Sequence, residues 1–370
     1  MKYFSRFSSQ VRINWKRLIH YEFWPYWLFY FPAYFYYFYL ALKSRGWVYF
    51  SVLNPCMNFG GAFLSSKHSY LNEVAQKWKP KSIRVSNTID LEFLKNKIVR
   101  ESLKFPLILK PDMGERGRNV EKIENYNELE FYFKEINQLV LIQEYIDYPI
   151  ELGILFFWDT DKKPQITSIG KKEFCVVKGN GSDTLETLIS NNHRIAHRKK
   201  ILKKRFKKQW QQIIPLNKKI LVEPIGNHNK GTIFYDARNH YSEEMLEWVS
   251  DCVKNIKGFD YGRIDLKMEH WNSFKNKKGI KILEIIGVNS EPIHIYDPRY
   301  SIWKAYKAIF HHMHIIYRLS KHKLNQSHQT CSLFEFIRGG QAVLNKNKLK
   351  FPIYEFRTSE KSTFKPQRFN

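Results

Sequence analysis

The chain has 370 residues, 43% of them hydrophobic, with 61 Lys and Arg against 35 Asp and Glu for a formal net charge of +26. That supplies enough apolar chain for two or three packed lobes, and enough positive charge to imply a polyanionic neighbour or a plainly solvated, lysine-rich surface. Cys56, Cys175, Cys252 and Cys331 stand at no CxxC spacing, which leaves no zinc or thioredoxin-like signal and suggests a reducing compartment.

Residues 23–42 form an uncharged run long enough for a membrane span. Pro25 and Pro32 interrupt it, and six of its residues are Tyr, which prefers the membrane interface to its centre. Lys and Arg flank both ends, so no orientation follows. The run starts late and no small-residue cleavage site follows it, which makes a poor signal peptide. Two readings stay open: an interfacial element lying on an anionic membrane surface, or a buried helical pair, with a true span behind both. The corresponding localisation is cytoplasmic, peripheral or monotopic at the inner membrane face.

Residues 54–61 read as loop, and Ser65-Ser66-Lys67 opens a helix through Gln76. Short apolar runs between turns then predict strands at 106–110, 120–123, 140–145, 153–158 and 166–174, with helices at 127–136 and 184–190. Strands return at 220–223, 232–236, 263–268 and 280–287. A helix is expected at 242–256, with Ser242 at its start, Glu243 and Glu244 in its first turn and Gly258 just after it. The fold class is α+β. The division expected is an aromatic region at 1–65, a two-lobed region at 66–320 (a smaller lobe about 104–175, a larger one about 176–320) and a loosely packed basic tail at 321–370.

Residues 198–208 hold eight bases and no acid, with Leu202, Phe206 and Trp210 forming an apolar stripe. Such a helix suits a membrane surface or a nucleic-acid backbone, or simply docks by its stripe. No nucleic-acid motif accompanies the charge, so nucleic acid is not expected as a partner. His311, His312 and His314 read as a polar helix face rather than a ligand set.

The chemistry-bearing residues come in three groups. A strand delivers Lys110 at its end, followed by a loop with Gly114, Glu115, Arg116 and Gly117. Glycines let backbone N–H groups approach phosphate, and the lysine supplies a point charge. Glu144, Tyr145 and Ile146 end a second strand, where backbone groups can meet an adenine edge. Glu151 follows, a carboxylate able to accept from ribose hydroxyls or merely a surface glutamate. The third group is Arg263 and Asp265 on one strand and Glu284 and Ile286 on another. Alternation puts each pair on one face. If the strands pair, two carboxylates converge and call for a cation, for which Mg²⁺ is suited; the competing reading is an Arg263–Asp265 salt bridge.

In order and spacing, these motifs resemble the ATP-grasp superfamily over about residues 66–298, close to its D-alanine–D-alanine ligase branch and to cyanophycin-synthetase-like relatives. The resemblance implies two α+β lobes sandwiching ATP, and ligation of a small carboxylate to an amine through an acyl phosphate. It implies Lys67 and Lys110 on the phosphates, Gly114, Glu115, Arg116 and Gly117 in a closing loop, and Glu144, Tyr145 and Ile146 at adenine. Glu151 would lie at ribose, Asp265 and Glu284 at Mg²⁺, and Arg263 at the tetrahedral intermediate. Position 286 is Ile where the family's last metal motif has Asn, with Asn289 the nearest substitute. That departure and the unusual N-terminal region motivate a second reading, a catalytically weakened nucleotide-binding protein docked on a membrane.

Overall fold

The computed structural model describes residues 15, 17–63, 65–114 and 117–344. Glu115, Arg116 and the tail beyond residue 344 lie outside the described residues. The fold is α+β, with antiparallel sheets.

The N-terminal aromatic run breaks into a helical turn at Tyr26–Phe29 and helix α1, Phe31–Ser44, with Pro32 in its first turn. Proline is tolerated there because the first-turn N–H groups have no intrahelical acceptor. Helix α2, Lys67–Glu73, is capped by Ser66, whose hydroxyl accepts from the Ser69 N–H; it stops short of Gln76.

The smaller lobe has strand β1 (Ser82–Val85), helix α3 (Leu91–Arg100), strands β2 (Leu107–Pro111) and β3 (Glu121–Ile123), helix α4 (Tyr126–Glu135) and strand β4 (Val140–Glu144). Its sheet runs β1-β4-β2-β3. Asp90 and Asn125 cap the two helices, which press Leu94, Ile98, Leu129 and Phe133 onto Leu107, Leu109 and Ile142. The β2 residues between these, Ile108 and Lys110, therefore face the other way.

The larger lobe carries β5 (Ile150–Trp158) and β6 (Pro164–Glu173), then a side unit, then β9 (Ile233–Asp236), β10 (Tyr261–Met268) and β11 (Ile280–Ile286). The sheet order is β11-β10-β5-β6-β9. Helix α7 (Glu243–Val253), capped by Ser242, packs Met245, Trp248, Val249 and Val253 against Leu152, Ile154, Phe156, Ile264 and Leu266. One face of this sheet is thus core, and the other is left for polar side chains.

The side unit is the hairpin β7 (Val176–Lys178) and β8 (Lys219–Leu221) with helices α5 (Leu185–Asn191) and α6 (Lys199–Arg205). Of the basic run, Lys199–Arg205 is α-helical, and Arg198 ends a 3-10 turn before it. Leu202 and Trp210 are buried in the unit's own core and Phe206 packs against it, so the apolar stripe docks inward and is not offered to a partner.

Helix α8, Ile302–Asn325, runs across position 320, and α9, Leu333–Leu344, follows it. Phe336 of α9 lies against Phe50, Phe59 and Phe63. His312 is buried with its ring against the Tyr261 hydroxyl, whereas His311 and His314 are exposed. Among the described residues, no helix is long and apolar enough to cross a membrane.

A single asparagine ties the N-terminal region to the larger sheet. The fully buried Asn54 side chain donates to the Gly60 and Tyr261 carbonyls and accepts from the Asp260 and Tyr261 N–H groups. Its own N–H donates to Asp260, which also pairs with Lys323 of α8. Asn54→Ala leaves these backbone groups buried and unpaired, at about 1–3 kcal/mol each before relaxation. The expected loss is about 3 kcal/mol, read as a lower denaturant midpoint at unchanged slope. A midpoint equal to that of the parent would remove Asn54 as the clamp.

Candidate active site

The polar face of the larger sheet follows from its register. Asp265 lies opposite Gly153 on one side and Glu284 on the other, Arg263 lies opposite Ile286, and Glu151 lies between Lys267 and Lys172. Side chains of one row point to one side of a sheet. The row gathers Lys172, Glu151, Asp265, Arg263, Glu284 and Ile286 on the wall of one cleft.

Lys172 was not singled out in the sequence, yet it bridges the wall. Its Nζ donates to Glu151 Oε1 and to Asp265 Oδ2, each at 2.9 Å, and all three side chains are buried. Arg263 takes Asp265 from the other side, Nε to Oδ1 at 2.6 Å and Nη2 to Oδ2 at 3.2 Å. Burial opposes the charged form of Asp265, but Arg263 and Lys172 hold its carboxyl well below the ordinary range. For Lys172, burial again opposes the charge, and Asp265 and Glu151 override it to raise the ammonium. The Arg263–Asp265 salt bridge named as the competing reading is therefore present, and Lys172 joins it.

Between Asp265 and Leu266 the β10–β11 register shifts, so that Asp265 faces Glu284 while Leu266 faces Ile282. Leu283 is the extra residue of a β-bulge. Ile280 and Ile282 stay in the core, whereas Glu284 and Ile286 turn to the cleft. The freed Leu283 carbonyl accepts from Lys110 Nζ at 3.0 Å.

Lys110 reaches across from β2 of the smaller lobe. It is 6% exposed, and its other protein partner is Gln143 Oε1 at 3.1 Å. Both acceptors are neutral. Burial pushes the ammonium down to about 8, with Glu284 opposing and Lys67 adding to the fall. Beside it, Gln143 Nε2 is buried with no acceptor, as is Ser290 Oγ on the opposite wall. Unmatched donors around a buried cation fit an anion with several oxygen acceptors.

Lys67, the first residue of α2, donates to the Gly114 carbonyl and pairs with Glu284 Oε1 at 3.3 Å. Its aim is set by Asp112, fully buried two residues after Lys110. The Asp112 carboxylate accepts from the Ser66 hydroxyl at 2.8 Å and the His68 N–H at 2.9 Å, pinning the start of α2. Asp112 is a positioning residue that the sequence reading missed; its signal was a carboxylate beside a phosphate-type lysine.

The remaining expected residues line the same cleft. Glu144, Tyr145 and Ile146 lie on it, and Lys267 Nζ donates to the Ile146 carbonyl at 2.8 Å beneath the Tyr145 ring. Gly117 has φ +64°, a conformation that glycine adopts without strain. A Cβ on Gly226 would come within 2.4 Å of Glu151 Oε1, so only glycine lets that loop cover the carboxylate. Asn289 sits exposed on the loop after β11.

The N-terminal region closes one side. Tyr30 and Tyr296 donate to Glu291 at 2.5 and 3.0 Å, and the Glu291 carbonyl accepts from Arg263. Burial and then Glu291 push both phenols far up, so they remain donors. Glu22 is held by Arg194 at 2.7 Å and His228 at 3.0 Å.

The cleft encloses about 620 Å³, within the roughly 300–1,000 Å³ of small-molecule sites. Among the described residues, no three His, Cys, Asp or Glu converge as a metal cage. Glu284, about a quarter exposed, is paired among the described residues through Lys67 alone; both oxygens of Asp265 are engaged. That donor set fits a Mg²⁺ delivered with phosphates and completed by water, which takes one or two protein carboxylates.

No family model matches the chain, and no curated protein matches it in sequence. Among solved structures it is similar to the VanG D-Ala:D-Ser ligase from Enterococcus faecalis, at 14% identity and TM-score 0.39 over 68% of this chain and 61% of that one. It is similar to the D-alanine–D-alanine ligase from Bacillus anthracis, at 17% identity and TM-score 0.38 over 70% and 68%. A bifunctional glutathione synthetase from Pasteurella multocida matches at 12% identity and TM-score 0.34, over 63% of this chain and 34% of that one. All three likenesses are at 17% identity or less and TM-score below 0.4, and the chain spans less than two thirds of the length of the VanG ligase and about a third of that of the glutathione synthetase.

Proposed function

We propose that the chain is an ATP-dependent ligase that joins a small carboxylate to an amine. The observation that carries this reading is Lys110: a buried ammonium bonded, among the described residues, to neutral acceptors alone, beside donors unmatched among those residues, between two α+β lobes. A polyphosphate supplies the missing acceptors. Lys67 and Lys110 would hold the phosphates, and Lys172 would keep Glu151 and Asp265 paired on the wall beside them. Glu144, Tyr145 and Ile146 would border adenine, and Glu151 the ribose hydroxyls. The backbone around Gly114 and Gly117, with Glu115 and Arg116, would cover the phosphates.

Glu284 and Asp265 would hold Mg²⁺, whose chemistry is to neutralise charge on the phosphate oxygens. The substrate carboxylate attacks the terminal phosphorus of ATP, and ADP leaves. The amine attacks the resulting acyl phosphate, and phosphate leaves with the bond electrons while the amine proton passes to solvent. Arg263, on the wall beside Asp265, would stabilise the oxyanion of the tetrahedral intermediate. Closure of the cleft keeps water from the acyl phosphate. The second reading, a weakened nucleotide binder, is favoured by Ile286, an apolar side chain on the cleft wall where a ligand is expected. Amine-dependent ADP release across a panel of acids and amines tests the ligase. Tight ATP binding without any ADP release would leave the binder.

Calorimetry should give magnesium-dependent ATP binding that Lys110→Ala weakens by about tenfold or more, the equivalent of one charge-assisted contact. Unchanged affinity sinks the assignment.

The depressed Lys110 pKa sets a pH dependence. Free Lys110 loses its proton through about 8, whereas bound phosphate favours the charged form. ATP binding should therefore take up protons between about pH 8 and 9, and weaken as pH rises through that window. Binding enthalpies in two buffers of different ionisation enthalpy read the uptake. A proton count that is the same in Lys110→Ala would assign it elsewhere.

Ile286→Asn, placing a ligand opposite Arg263, should lower the magnesium concentration needed for half-maximal activity. Thermal unfolding run in parallel accounts for the lost apolar contact. An unchanged requirement in a folded variant removes position 286 from the metal's surroundings.

A further inference from the structure

Helix α1 buries one face and exposes the other. Ala33, Leu40 and Ala41 pack into clusters with Tyr306, Ile309 and Tyr317 of α8. On the opposite side Phe31, Tyr34, Phe35, Phe38, Tyr39 and Leu42 are each 40–68% exposed. Their spacing of three and four residues makes one continuous stripe along the helix. Trp27, Trp47 and Trp303 extend it, at 65%, 47% and 76% exposure. A soluble surface seldom leaves so long an aromatic strip in water.

The helix beside it is its electrostatic complement. Helices α1 and α8 run side by side in the same direction: Ala33 clusters with Ala305 and Ile309, and Leu40 with Tyr317. The exposed face of α8 carries Lys304, Lys307, His311, His314, Arg318 and Lys321, again three or four residues apart. Tyr36 of α1 meets His314 at 3.4 Å, so the aromatic stripe adjoins the face of α8 on which Lys304, Lys307, Arg318 and Lys321 supply the positive charge. Residues 23–72 and 298–334 contain no Asp or Glu, although the chain has 35.

We propose that α1 and α8 form a docking face for an anionic lipid bilayer, with the α1 aromatics in the headgroup and upper acyl region and the α8 cations on lipid phosphates. Tyr and Trp are the side chains that settle at this depth, and adjoining cations add attraction to an anionic leaflet. Helix α1 has 14 residues, about 21 Å, so it lies in the interface plane. The face is distinct from the basic run at 199–205, whose apolar side is turned into its own core. It also adjoins the cleft: Tyr26 and Phe29, in the turn before α1, line it. Docking and nucleotide binding are separable, because none of the stripe residues lines the cleft.

The test is sedimentation of the full chain with phosphatidylcholine vesicles, with and without phosphatidylglycerol, in the absence of nucleotide. Co-sedimentation with the anionic vesicles, weakened at least tenfold without phosphatidylglycerol, is expected. Phe35→Ser combined with Phe38→Ser, and separately Lys304→Glu combined with Lys307→Glu and Arg318→Glu, should each lower partitioning at least tenfold. Both variants should keep the parent's unfolding temperature and ATP affinity. The proposal is overturned if the parent stays in the supernatant with both vesicles, or if folded variants partition like the parent. It is equally overturned if light scattering shows a parent oligomer that the Phe35 and Phe38 substitutions dissolve, since another protein chain then covers the face. Loss of ATP binding in an otherwise vesicle-bound parent would count against the ligase reading alone.

Discussion

The buried bridge from Lys172 to Glu151 and Asp265 is the constraint on which the larger lobe's architecture turns. A carboxylate at the depth of Asp265 is costly unless a cation meets it, and breaking such a pair costs about 3–5 kcal/mol. The same pair replaced by packed apolar groups would often be no less stable. The charged face therefore adds little to folding, and stability comes from the opposite face, where Trp248, Phe156 and Ile264 are fully buried. The sheet thus separates its tasks by strand alternation: on β5 and β10, positions 151, 263 and 265 face the cleft while 152, 264 and 266 face the core.

That separation would fail on β11 without the bulge at Leu283. Ile280, Ile282, Glu284 and Ile286 are all even-numbered, and in a regular strand they would share one face. Either two isoleucines would be drawn into the polar cleft, or Glu284 would be driven into the core. The extra residue lets both groups go where their chemistry places them. It also turns a backbone carbonyl toward Lys110, so one irregularity orients the carboxylate and tethers a lysine of the facing lobe.

Much of this was legible in the sequence because strand and helix periods are local. The strands expected at 106–110, 140–145, 263–268 and 280–287 lie within two residues of those observed, and Ser242 caps its helix. The alternation that places Arg263 with Asp265 and Glu284 with Ile286 holds. The strand at 166–174 is legible in its hydrophobicity, whereas Lys172 shows only in its faces, where Ser168, Gly170 and Lys172 alternate. Strand β1 escapes a reading by period because four residues give too little of one; helix α3 has ten residues, and its signals, the Asp90 cap and the apolar pair Leu94 and Ile98 one turn apart, were present in the sequence. Asn54 left no local pattern at all. Its partners Asp260 and Tyr261 are some two hundred residues away, and only the folded chain brings them to it.

The N-terminal region is the part that sequence described least and the fold uses most. Asn54 fixes it to the start of β10, Glu22 fixes it to Arg194 and His228, and Tyr30 fixes it to Glu291, whose carbonyl holds Arg263. Each tie ends within a few residues of the cleft or on its lining. Aromatic side chains suit this work because they bring large area with few rotamers to fix. The segment thus braces the wall that carries Arg263 through Tyr30, while its outward stripe on α1 is exposed among the described residues. Tyr30 is the N-cap of α1, so the helix that carries the stripe begins at the phenol that donates to Glu291.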